Sequence, residues 1–108
     1  MRNSSEQRAL RHYRLRGYRI LGTNVWTGGY ELDLVVRRGS ALAFVEVKSK
    51  SGDRVGDPLE MVGPEKQRRL RRAADAWLAA HPEAVGLEAR FDVVAVRDGR
   101  LECVRQAF

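Results

Sequence analysis

Asp33, Glu46 and Lys48 place two carboxylates and an ammonium at a spacing that can converge, with twelve residues between the acids and one between Glu46 and Lys48. If Asp33 and Glu46 face each other on paired strands, their Cβ atoms lie about 4.5–5.5 Å apart and the carboxylates repel. A divalent cation resolves that conflict. Both acids can reach one Mg²⁺ (or Mn²⁺) ion at about 2.0–2.1 Å while waters and a phosphate oxygen fill its remaining octahedral positions. Lys48 leaves the strand on the same face as Glu46, about 6.6–6.8 Å farther along. It can accept a proton from metal-bound water or stabilise developing negative charge. The first role requires burial or a nearby cation to lower its pKa, and the second does not.

The elements must deliver this meeting. Gly39-Ser40 is suited to a two-residue type II′ hairpin between strands Tyr30–Arg38 and Ala41–Lys50. With Arg38 facing Ala41, the register sets Asp33 across from Glu46 and Glu31 across from Lys48. One face then carries a square of four charges. The other sets Leu32, Leu34 and Val36 against Val47, Val45 and Ala43, an apolar surface ready for a helix.

Around this hairpin the chain reads α-β-β-β-α-β-β, an α/β class with a mixed central sheet flanked by helices. A first helix opens at Ser4, at capping-box spacing from Gln7, and closes at Gly17, with Glu6, Leu10 and Tyr13 inward. Tyr18–Trp26 is the first strand. Ser51–Gly63, with three glycines and a proline, is the long connection. The second helix starts at Pro64, runs to about His81, and carries the apolar stripe Leu70, Ala73, Ala74, Trp77 and Leu78. Asp98-Gly99 joins strands Ala89–Arg97 and Arg100–Arg105 as a hairpin, which would pair Asp92 with Arg105 in a structural role. Trp26 and Trp77 are both expected in the core, against the alternative of base-stacking platforms.

At 108 residues, 44% hydrophobic and 31% charged, residues 1–108 read as a single domain. No stretch approaches the ~20 apolar residues of a membrane span, and the charged N-terminus does not read as a signal peptide, so a cytoplasmic protein is expected. One cysteine and two distant histidines argue against a disulfide or zinc chemistry. Twenty Lys and Arg against fourteen Asp and Glu give a net charge of +6, which favours a polyanion, nucleic acid first.

The Asp-x12-Glu-Val-Lys pattern resembles the PD-(D/E)XK signature of restriction-endonuclease-like folds. GYRILGTNVW, ELDLVV, FVEVKSK, the helix near Lys66 and the terminal RFDVVAV with closing AF resemble the small bacterial YraN family over nearly the whole chain. That resemblance implies a restriction-endonuclease-like domain similar to archaeal Holliday-junction resolvases, acting as a Mg²⁺-dependent endonuclease on DNA, with branched DNA a candidate. Asp33, Glu46 and Val47 take the metal positions, and Asp33, Glu46, Lys48, Glu31 and Glu6 the catalytic ones. Glu6 matches an acidic position of the N-terminal helix, and first-turn placement near the helix dipole accounts for it equally well. Tyr30 stands where the family's Gly-Glu-x-Asp segment has glycine, and Leu32 replaces the proline before Asp33. Lys66, Gln67 and Arg68, at the start of the second helix, are candidates for phosphate contact, against the alternative of a capped, solvated helix end. A homodimer would suit two cuts on opposite strands. The competing readings are a non-catalytic nucleic-acid-binding module and an adaptor that retains the nuclease fold.

Overall fold

The Gly39-Ser40 turn fixes the centre of the sheet. In a computed structural model that describes residues 4–50 and 62–108, apart from the Lys50 side chain, Gly39 adopts the left-handed φ of 60° that the first position of a type II′ turn requires. Arg38 consequently faces Ala41, and the register holds through Leu34 and Val45 as the turn dictates. The expected connection from Ser51 lies outside the described residues as far as residue 61.

The elements follow the expected order: α1 (Ser4–Leu15), β1 (Arg19–Thr27), β2 (Tyr30–Arg38), β3 (Ala41–Lys50), α2 (Pro64–Ala80), β4 (Glu88–Arg97) and β5 (Arg100–Val104). A single turn of 3₁₀ helix at Pro82–Ala84 follows α2, where Pro82 cannot continue the α-helical hydrogen bonding. The strands form one mixed sheet in sequence order. β3 and β4 run parallel, joined by the connection that contains α2, and every other neighbouring pair is antiparallel. After α1 the chain reverses through Gly17, with Tyr18 N donating to Tyr13 O and Gly17 N to Arg14 O, the paired bonds of a Schellman stop.

Both faces of the sheet are apolar, which corrects the expectation of one apolar and one charged face. Leu34, Val36, Ala43 and Val45 pack with Leu10 and Tyr13 of α1, and partly buried Val47 joins them. The alternate residues Val35, Leu42 and Phe44 pack against Leu70, Ala73, Ala74 and Trp77 of α2. A helix on each face demands apolar residues at successive strand positions, so strict alternation fails in the central strands. Leu32 joins the α2 cluster with Val35, not the α1 cluster with Leu34. The four charges expected in one square therefore do not share a face, and they gather only at one open end of β2 and β3.

Two further placements differ from expectation. Trp77 is buried against Phe44 in an edge-to-face pair, but Trp26 is 73% exposed near the end of edge strand β1. Asp92, wholly buried, is held by Arg90 and not by Arg105. The β4–β5 ladder ends at Val93 and Val104, one step short of that pair, and the Gln106 amide takes its place on Asp92 Oδ1 at 3.1 Å.

The β1–β2 hairpin is fastened to α2 by its Gly28-Gly29 turn. A Cβ at Gly28 would lie 2.9 Å from the Arg72 carbonyl oxygen and 3.0 Å from Ala73 Cα, both backbone atoms, and its φ is +61°. Only glycine allows this approach, and it brings Tyr30 beside α2.

Candidate active site

Asp33 sits where β2 and β3 part. Leu34↔Val45 is the last registered pair toward that end, and the next β3 donor, the Val47 amide, finds the Asp33 carboxylate at 2.8 Å. A side chain thus takes the place of a main-chain acceptor. Burial raises the Asp33 pKa to about 7, the Glu46 carboxylate adds to the rise, and Glu6 and Glu31 contribute further; the Val47 amide opposes it. Among the described residues no cation lies within ion-pair reach of Asp33.

Glu46 has the opposite surroundings. It is 5% exposed on β3, registered with Val93 of β4, and its Oε2 lies 2.7 Å from Lys66 Nζ and 3.3 Å from Lys48 Nζ. Burial lowers the Lys48 pKa, and the neighbouring Lys66 lowers it again against the pull of Glu46. Burial also opposes the charge on Lys66, but Glu46, Lys48 and Tyr30 outweigh it and hold that ammonium protonated. The two lysines flanking one carboxylate are therefore driven apart in acidity.

The structure brings Asp33, Glu46, Lys48, Glu6 and Glu31 to one end of the sheet, but not in the expected pairing. Asp33 and Glu46, expected directly across from each other, are not a registered pair, since the ladder ends at Leu34↔Val45; Glu31 is exposed and registers with Trp26 on β1, and Lys48 pairs with Glu46 in place of Glu31. The cause is the early end of the β2–β3 ladder. Glu6, on the first turn of α1, accepts from Asn24 Nδ2 at 3.3 Å, and Asn24 holds a left-handed φ of 50°. Lys66 is the ion partner of Glu46, a role its sequence position alone did not disclose. Gln67 caps locally, its Nε2 donating to Val62 O at 3.0 Å, and exposed Arg68 pairs with Glu65 one turn earlier. Those two residues fit the solvated helix end weighed against phosphate contact.

Asp33 and Glu46 supply the hard oxygen donors that Mg²⁺ and Mn²⁺ prefer, and Val47 has only its main-chain carbonyl to offer. Among the described residues no group of three or more His, Cys, Asp and Glu side chains is arranged to hold an ion by itself. Water and substrate oxygens would have to complete the shell, as is usual for Mg²⁺. The charge balance fits such an ion. Among the described residues Asp33 has the carboxylate neighbours Glu6, Glu31 and Glu46, and a divalent cation would relieve the negative charge around it.

Comparison with known proteins identifies the family. Residues 5–96 match the family described as "Uncharacterised protein family UPF0102". A UPF0102 protein of Symbiobacterium thermophilum is 43% identical over 113 residues, covering 97% of this chain and 92% of its own. One from Frankia casuarinae is 44% identical over 108 residues, with 95% and 91% covered. One from Rhodopseudomonas palustris (strain BisB18) is 44% identical over 93 residues, with 86% and 67% covered. No helix among the described residues is long and apolar enough to cross a membrane. Family match and near-full-length identity together place this α/β chain, with its five-stranded mixed sheet and two helices, in the UPF0102 family.

Proposed function

We propose that the chain is a metal-dependent endonuclease of restriction-endonuclease-like fold that hydrolyses DNA phosphodiester bonds, with Asp33 and Glu46 as the metal-holding acids. One observation carries this reading. Asp33 is partly buried, the Glu46 carboxylate adds to the rise in its pKa, and among the described residues no cation pairs with it, an arrangement that a bound divalent ion would stabilise. The net charge of +6 and the resemblance to PD-(D/E)XK enzymes support a nucleic-acid substrate.

Bound Mg²⁺ would supply Lewis-acid polarisation and a more acidic water at this site. The protein's own groups do the rest. The Val47 amide orients Asp33. Lys66 neutralises Glu46 in the free protein and can turn to the substrate phosphate once that carboxylate is otherwise engaged. Lys48, with its pKa lowered by burial and by Lys66, is suited to accept the proton of the attacking water. Glu31 and Glu6 add negative charge around Asp33, and Glu6 is steadied by Asn24.

The test is to titrate Mg²⁺ and Mn²⁺ into the wild type and Asp33→Asn, then to assay both on duplex, single-stranded and branched DNA. Metal-dependent cleavage by the wild type, lost in the variant, is the expected result. Absence of both a metal response and cleavage in the wild type would refute the reading. The internal neutralisation of Glu46 by Lys48 and Lys66 favours a second reading, a nucleic-acid-binding module or adaptor without turnover. It would appear as DNA affinity, or partner recruitment, indifferent to metal.

A further inference from the structure

Among the described residues Trp26 is the one Trp, Tyr or Phe that is largely exposed, at 73% of the residue. A surface tryptophan in a chain this charged calls for a reason, since Trp is a large apolar side chain normally sheltered. Its position narrows the reason. Trp26 registers with Glu31 across the β1–β2 ladder, so the two side chains share a face with Cβ atoms about 4.5–5.5 Å apart. Val25, Tyr30 and Leu32 turn to the α2 cluster, which leaves Trp26 and Glu31 on the opposite face. Two residues back along β1 lies Asn24, the partner of Glu6. Asp33 is two residues beyond Glu31 on β2, so Trp26 lies at the same end of the sheet as the acidic site, on the face opposite Glu46, Lys48 and Lys66.

We infer that Trp26 is a stacking platform for an unpaired nucleobase at the same end of the sheet as the scissile phosphate, so that the substrate is DNA with a displaced or unstacked nucleotide near the cut. The inference rests on the nucleic-acid reading of the acidic site. A base inside a duplex is already stacked on both sides and offers no free face to an indole, whereas a bulged or branch-point base does. β1 is an edge strand, so among the described residues no further strand flanks the ring. Glu31 repels the phosphate backbone from the spot beside the indole, but a neutral base can approach it. The net charge of +6 supplies the long-range attraction.

The probes are two short DNA duplexes of identical sequence, one fully paired and one carrying a single bulged fluorescent purine analogue. Binding is measured with Ca²⁺ present to keep the strands intact, and cleavage with Mg²⁺ and Mn²⁺. Binding of the bulged duplex should quench both the purine analogue and the Trp26 emission, which is read as the difference between wild type and Trp26→Phe because Trp77 is the second of two tryptophans. Trp26→Ala should weaken binding of the bulged duplex about tenfold and collapse its preference over the paired one, while Trp26→Phe keeps most of it. Equal binding of the two duplexes, or no change in Trp26→Ala, would overturn the inference and leave the nuclease reading standing. Quenching and preference without cleavage would uphold the platform and refute the nuclease. Failure to bind either duplex would refute both, as would a Trp26 emission that shifts with protein concentration alone, which assigns the ring to a second copy of the chain.

Discussion

Asp33 and Asp92 are two acids withdrawn from solvent in the same sheet, and their surroundings could hardly differ more. Asp92 is wholly buried and receives the Tyr13 hydroxyl at 2.7 Å, Arg90 Nε at 2.8 Å, Arg90 Nη2 at 3.1 Å and the Gln106 amide at 3.1 Å. Arg90 is itself tied to the Tyr18 hydroxyl at 2.9 Å. Asp33 is less buried, yet among the described residues it has one amide donor and three carboxylate neighbours. A buried charge surrounded by donors serves the fold, and one surrounded by its own kind is held in readiness for something else.

The comparison breaks most easily at Asp92. Removing one partner of a buried ion pair typically costs about 3–5 kcal/mol, so Asp92→Ala should shift the urea midpoint strongly and leave much of the chain unfolded near 37 °C. A midpoint equal to wild type would place Asp92 outside the structural role. Next in size is the effect on cleavage, where Lys48→Met should lower the rate by about 10²-fold or more with the thermal midpoint little changed. A wild-type rate would remove Lys48 from the site.

A smaller effect, opposite in sign to that at Asp92, is expected from Asp33→Asn without metal. The Asp33 pKa of about 7 lies above its unfolded value, so the folded state binds the extra proton more tightly. Its contribution to stability is fully present below about pH 4 and is lost as pH rises through about 7. Wild type should therefore fall behind Asp33→Asn in melting temperature by roughly 5–10 °C at pH 8, and the gap should close toward pH 4. Mg²⁺ should narrow the gap at pH 8 by raising the wild type alone. A gap independent of pH would show that Asp33 does not titrate in this range. The smallest effect belongs to Glu65, whose pairs with Arg68 and Arg69 lie on the solvated face of α2; Glu65→Gln should leave the thermal midpoint unchanged within error.

Local chemistry made the hairpins legible from sequence. Gly39-Ser40 and Asp98-Gly99 fix their registers through turn geometry, and the α2 stripe repeats at helical spacing, so both readings needed only neighbouring residues. What escaped depends on contacts between distant elements. The end of the β2–β3 ladder at Leu34 is set by the Asp33 carboxylate capturing the Val47 amide, and no pairing rule anticipates a side chain as acceptor. Lys66 reaches Glu46 only because α2 lies over β3. Trp26 reads as core by residue type and is surface by position, since it falls near the end of an edge strand. The exchange of Arg105 for Arg90 at Asp92 has the same origin as the Lys48 pairing: a ladder stops short of the expected pair, by one step at Asp92 and by three at Lys48.

The early parting of β2 and β3 has a bearing on descent. Asp33, Glu31 and Lys48 lie beyond the last pair of that ladder, so exchanging them leaves its registered main-chain bonds untouched. Lineages can therefore alter or discard the chemistry at this end while the sheet and its two helices persist, and a shared fold among relatives is compatible with divergent or extinct activity. Asp92 allows no such drift, because its four donors come from α1, from β4 and from the chain after β5. Selection on folding alone would preserve Asp92, and only selection on function would preserve Asp33.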